Sequence, residues 1–110
     1  MKNIKTLFPF QACESEENEG IVTVLYKNPK PSFIEKIFFK KLSKKPYKID
    51  LDKVGTFIWK LCDGKNNVGM IIEKARENFG SEIEPAEDRV EKFIKQLSST
   101  KLVKLFEKRD

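Results

Sequence analysis

Residues 46–64, Pro46-Tyr47-Lys48-Ile49-Asp50-Leu51-Asp52-Lys53-Val54-Gly55-Thr56-Phe57-Ile58-Trp59-Lys60-Leu61-Cys62-Asp63-Gly64, change their hydrophobic period part-way. Up to Leu51, a lysine or an acid alternates with Tyr47, Ile49 and Leu51, the period of a strand with one buried face. From Asp52 the period is helical: Leu51, Val54, Ile58, Leu61 and Cys62 form one stripe, and Asp63-Gly64 supplies a stop. The spacing predicts a strand with one buried face running directly into a helix over about 52–62. Trp59 falls off that stripe beside Ile58 and is read as core, since its ring adds buried area and its indole needs only one acceptor.

Towards the C-terminus, a second helix is predicted from near Asn67, with Val68, Ile71, Ile72, Ala75 and Phe79 as its stripe and Gly80 as its stop. A third opens at Glu84-Pro85, with proline at a favourable first position. It runs through Ala86, Val90, Phe93, Ile94 and Leu97 to an end near Ser98-Ser99-Thr100. Leu102-Val103-Lys104-Leu105-Phe106 closes the chain as a short strand or a packed tail.

Towards the N-terminus, Ile21-Val22-Thr23-Val24-Leu25-Tyr26 reads as a strand between Gly20 and Asn28-Pro29. Leu7 to Ala12 is its expected partner, and the acidic stretch Glu14 to Glu19 the exposed connection between them. In residues 32–43, Phe33, Ile34, Ile37, Phe38 and Leu42 share a helical face, and Ser32 and Glu35 have capping-box spacing. A basic amphipathic helix is predicted there, with an extended strand as the alternative.

The order of elements is that of an α+β protein: a small antiparallel β-sheet followed by three helices, in a winged-helix-like arrangement. With 110 residues the chain is read as one domain over 1–110. A 39% hydrophobic fraction with nine Phe argues against disorder, and a 35% charged fraction implies a small core under a solvated surface. Of the net charge of +5, residues 27–53 alone hold nine lysines against Glu35, Asp50 and Asp52. That segment is either a surface for an acidic partner or a solvated face.

Chemistry is conspicuous by what the residues cannot build. With no His there is no Ser-His or Cys-His nucleophile pair and no ordinary base titrating near neutral pH. Cys13 and Cys62 stand alone, too few for a zinc site and with nothing to mark them as a structural disulfide. Gly64 and Gly69 belong to no phosphate-cradling motif. The pairs Glu82/Glu84 and Glu87/Asp88 are read as stabilising a helix dipole rather than as a catalytic carboxylate pair. No enzyme, cofactor or metal is expected, and the short apolar patch after Met1-Lys2-Asn3-Ile4-Lys5 leaves a cytoplasmic reading.

The stretch Leu51-Asp52-Lys53-Val54-Gly55 through Trp59, ending in Asp63-Gly64, resembles the LDxxGxxxW signature of PqqD-like proteins. The resemblance continues through Val68, Ile71-Ile72, Phe79-Gly80 and the Arg89-Val90, Phe93-Ile94, Leu97 face, covering roughly residues 20–105. It departs at Lys101, where glycine is common. The resemblance implies a winged-helix-like domain that binds the leader of a ribosomally made precursor peptide and presents it to a modifying enzyme, often a radical SAM enzyme. The leader is expected to add a strand beside the one preceding the first helix, in a groove toward the third helix. Lys45, Tyr47, Lys48 and Ile49 are then the candidate residues on the strand side, and Arg89, Lys92, Phe93 and Gln96 those of the opposite wall.

Three other readings compete. A nucleic-acid-binding winged helix draws on the basic charge, but Glu73, Glu77, Glu87, Asp88 and Glu91 sit among the bases of its helices. Attachment of residues 32–45 to a membrane surface is ranked below their packing on the sheet. A homodimer joined through an unpaired strand edge is the alternative use of that edge.

Overall fold

The computed structural model describes residues 4–26 and 47–107, Tyr47 through its backbone alone. The elements in chain order are β1 (Phe8–Gln11), β2 (Glu14–Asn18), β3 (Ile21–Tyr26), β4 (Tyr47–Asp50), α1 (Lys53–Leu61), α2 (Val68–Phe79), α3 (Ala86–Ser99) and β5 (Val103–Phe106). Short 3-10 turns precede β1 and follow α2. The fold is α+β, as expected, with its strands in two antiparallel sheets: β2-β3-β4 with β3 central, and a separate β1–β5 ribbon. The helix or strand expected over 32–43 lies outside the described residues, as do Lys44, Lys45 and Pro46.

The first hairpin corrects the sequence expectation. Leu7 to Ala12 does not pair with Ile21–Tyr26, and the acidic stretch is not a connection. Glu14–Asn18 is itself the partner strand, in register from Glu14↔Leu25 to Asn18↔Ile21. Turn geometry explains it. Glu19 and Gly20 have φ of 51° and 79°, the two left-handed residues of a tight hairpin turn, so the partner of β3 must be the residues immediately before the turn. Every residue of β2 is exposed, so no glutamate is desolvated by pairing. The more apolar Phe8–Gln11 instead turns Pro9 inward and pairs with β5, Phe8↔Phe106 to Gln11↔Val103.

β3 points Val22, Val24 and Tyr26 into the core, where they meet Ile58 and Trp59 of α1 and, behind them, α2 and α3. The buried face of α1 consists of Gly55, Thr56, Ile58 and Trp59, so the predicted stripe is rotated: Val54 and Leu61 are only half-buried. Trp59 is core, with its indole Nε1 donating to Ser15 Oγ at 3.2 Å and its carbonyl accepting from Gln11 Nε2 at 2.8 Å. Lys60 pairs with Glu17 at 2.8 Å. One short helix is thereby tied to both sheets.

Helix ends follow local chemistry. Asn67 caps α2 by accepting from Met70 N, and Gly80 closes it at φ 60°. Pro85 sits one position earlier than expected, at the cap, and Glu84 Oε1 accepts the Ala86 N–H at 3.1 Å. α3 ends in a Schellman motif: Leu102 N donates to Leu97 O at 2.8 Å and Lys101 N to Ser98 O at 3.0 Å. Lys101 therefore occupies the left-handed position, φ 65°, where glycine carries no steric cost. Both cysteines are free thiols.

Candidate functional site

The site is built where β4 gives way to α1. Leu51 N continues the ladder by donating to Val22 O at 2.9 Å, after which the chain turns away from the sheet. The Val22 N–H then finds no strand carbonyl; Thr56 Oγ1, one turn into α1, accepts it at 2.9 Å. Asp52 caps the helix, its Oδ1 taking the Gly55 N–H at 2.7 Å and its carbonyl the Thr56 N–H at 2.8 Å. Asp50 Oδ1 accepts from Thr23 Oγ1 at 2.6 Å. Both acids thus hold the strand-to-helix corner in place.

β4 is paired on one side only, to β3, from Thr23↔Asp50 to Tyr26↔Tyr47; among the described residues its other edge is unpaired. Beside the end of that edge lies a cleft of about 410 Å³ lined by Asp50, Leu51, Asp52, Val54, Gly55, Ile58, Arg89 and Phe93. Its floor is apolar. Gly55 shapes it: a Cβ there would stand 3.2 Å from Phe93 Cζ, 3.2 Å from Asp52 Oδ1 and 3.3 Å from Leu51 Cβ. The missing side chain lets the Phe93 ring and α1 approach, setting the depth of the cleft. Arg89 Nη1 donates to Glu82 O at 2.7 Å, which holds an exposed guanidinium at the rim.

Of the eight residues expected at the site, the structure brings Arg89 and Phe93 to the cleft. Lys48 is exposed on β4, and Ile49 is half-buried against the core, where it anchors the strand. Tyr47 takes its place in the β4 backbone opposite Tyr26. Lys45 lies outside the described residues. Lys92 and Gln96 line a different, shallower depression of about 660 Å³ on the outer side of α3, with Asp88, Glu91, Lys95 and Ser99. That row carries both signs of charge, unlike the basic stripe expected of a helix facing phosphate. Sequence reasoning missed the cleft floor, Leu51, Val54, Gly55 and Ile58, whose signal was the glycine inside an otherwise ordinary helix.

Burial, and then the charge of Asp63, push the Cys62 thiol up to about 12, and burial raises that of Cys13.

An unpaired strand edge next to an apolar cleft has the general form of a surface that can accept an extended chain. The sequence model of Coenzyme PQQ synthesis protein D (PqqD) matches residues 46–103. The chain belongs to the PqqD family. No curated protein and no solved structure matches it. The PqqD match starts just before β4, takes in α1, α2 and α3 and stops at the first residue of β5, so every residue of the cleft falls inside it. β1, β2 and β3 precede it. PqqD proteins are accessory, peptide-binding partners in coenzyme PQQ synthesis with no catalysis of their own. Among the described residues no helix is long and apolar enough to cross a membrane.

Proposed function

We propose that this PqqD-family chain is a non-catalytic adaptor of the cytoplasm that binds the leader of a ribosomally made precursor peptide and presents it to a modifying enzyme, of the radical SAM class or another. The observation that carries the reading is the free edge of β4 standing beside the Leu51–Gly55–Phe93 cleft. A leader laid along that edge gains main-chain hydrogen bonds from backbone groups that β3 leaves unused, while the cleft takes one apolar side chain. Arg89 at the rim suits an acidic neighbour of that side chain, and Lys48 flanks the strand. Tyr47, Ile49 and Lys45 contribute through the strand and its entry; Lys92 and Gln96 meet the part of a leader that passes over the outer side of α3.

The test is an NMR titration of labelled protein with a synthetic leader peptide encoded beside its gene, with a duplex DNA control. Shifts at residues 47–55, Arg89 and Phe93, lost in Phe93→Ala, support strand addition. Shifts with DNA alone, on α2 and α3, overturn it in favour of nucleic-acid binding.

A further inference from the structure

The ribbon that the family match leaves out carries an aromatic face. Phe10 and Phe106 are 51% and 41% exposed, and the Phe8 and Phe106 rings stack with centroids 6.3 Å apart. Phe8, Phe10, Lys104 and Phe106 lie on one face because Phe8 is paired with Phe106 and Phe10 with Lys104. On its other side Phe10 bridges to Asp63, held there by Gln11 N donating to Cys62 O and Gly64 N to Pro9 O. Phe10 therefore packs over the Asp63–Gly64 turn, its Cδ2 lying 3.1 Å from where a Gly64 Cβ would be. Across the ribbon the order is acid, aromatic, base: Asp63, Phe10, Lys104, in steps of about 5 Å. Burial alone would raise the Asp63 carboxyl, but hydrogen bonds from the Lys65 and Asn66 N–H groups and the Asn66 amide hold it below its ordinary value, so the row keeps its negative end.

We propose that this face docks a second copy of the chain about a two-fold axis running along the strands. Rotation about that axis turns the row end for end, so Asp63 faces the partner's Lys104, Lys104 faces the partner's Asp63, and phenylalanine rings cover phenylalanine rings. An axis across the strands would set Asp63 on Asp63 and is disfavoured. The charge order, more than the exposed rings, selects a copy of the same chain. The ribbon meets the C-terminal end of α1 and the peptide cleft its N-terminal end, about 13 Å apart for nine residues, so the docking face and the cleft are separate surfaces. The adaptor would then offer two peptide sites at once, whereas a dimer joined through β4 would block them. A face of three rings flanked by one acid and one base belongs with weak, transient interfaces, so the dimer is expected to dissociate in the range of about 10 µM to about 1 mM.

Sedimentation equilibrium of the full chain across that range tests this, with Lys104→Glu and the double variant Phe10→Ser/Phe106→Ser, each checked for an unchanged thermal melt. The expected result is a monomer–dimer equilibrium weakened roughly tenfold or more by either variant. In the wild type, dilution should shift the amides of Phe10, Gly64, Lys104 and Phe106 and leave residues 47–50 unmoved. A chain that stays monomeric throughout, or a dimer indifferent to both variants, or dilution shifts centred on β4, would overturn the proposal. Retention of the dimer in Lys104→Glu, with loss in the phenylalanine variant, overturns the two-fold arrangement.

Discussion

Replacing Thr56 by Val should unlatch the corner on which the proposed peptide site is built. The side chain is 5% exposed, and its hydroxyl is the acceptor for the Val22 N–H, a donor that no strand reaches once β4 has turned into α1. Valine keeps the shape and removes the acceptor, leaving a buried N–H unsatisfied at a cost of about 1–3 kcal/mol. Against this stands the gain from exchanging a hydroxyl for a methyl, about 0.8 kcal/mol. The net loss should be about 0.2–2.2 kcal/mol, or roughly 1–9 °C in Tm for a domain of this size. Urea unfolding measures the loss, and amide hydrogen exchange locates it: Val22 should lose protection in Thr56→Val and keep it in Thr56→Ser, which retains the hydroxyl. If Thr56→Val stays within about 0.5 kcal/mol of the wild type with Val22 equally protected, the N–H has another acceptor and the latch argument is wrong.

Three further perturbations have defined outcomes. Asp52→Ala removes the cap on Gly55 N and should destabilise by about 1 kcal/mol, read by thermal melting, with a weaker leader titration because the corner frays. Lys101→Gly relieves a side chain held at φ 65° and should stabilise by about 0.5–1 kcal/mol after the entropy of glycine is counted; a destabilised variant would mean the lysine stem packs usefully. The Cys62 thiol, raised from 9.0 to about 12 by burial first and Asp63 second, stays neutral in the folded state while an unfolded thiol ionises. Stability should therefore be fully retained below pH about 9 and fall above it by up to about 1.4 kcal/mol per pH unit until pH about 12. Cys62→Ala should flatten that slope, and at pH about 8 Cys62 should react with a thiol reagent only through unfolding.

Much of the fold was written in short-range pattern. The switch of period at Leu51–Asp52 marked both the strand and the helix, and Asn67, Gly80 and Ser98-Ser99-Thr100 marked ends of the others, because caps and stops act over one helical turn. The N-terminal hairpin was not read, since hydrophobicity nominated Leu7 to Ala12 while the Glu19–Gly20 turn chose the acidic strand. The signal was present, in glycine directly before β3. Turn geometry overrode composition because an edge strand with both faces in solvent pays nothing for glutamates. Trp59 fell off the predicted stripe because the helix is rotated to bring it against Ser15 and Gln11, partners more than forty residues away.

For the site, the sequence named Arg89 and Phe93 on α3 and the strand before α1, and these do meet. It had no means of separating Arg89 and Phe93 from Lys92 and Gln96: all four lie on α3, but helical rotation sends two to the cleft and two to the outer face. Nor did it show that Gly55 is where α1 and Phe93 come together, or that Val22 waits for the hydroxyl of Thr56. By itself, then, the order of residues determined the helices α1 to α3, the strands other than β2, and where most of them stop, because propensity, period and capping are local. Only the tertiary structure decided which edge is left unpaired, which side of α3 faces it and which aromatics remain outside, because those depend on contacts between residues far apart in the chain.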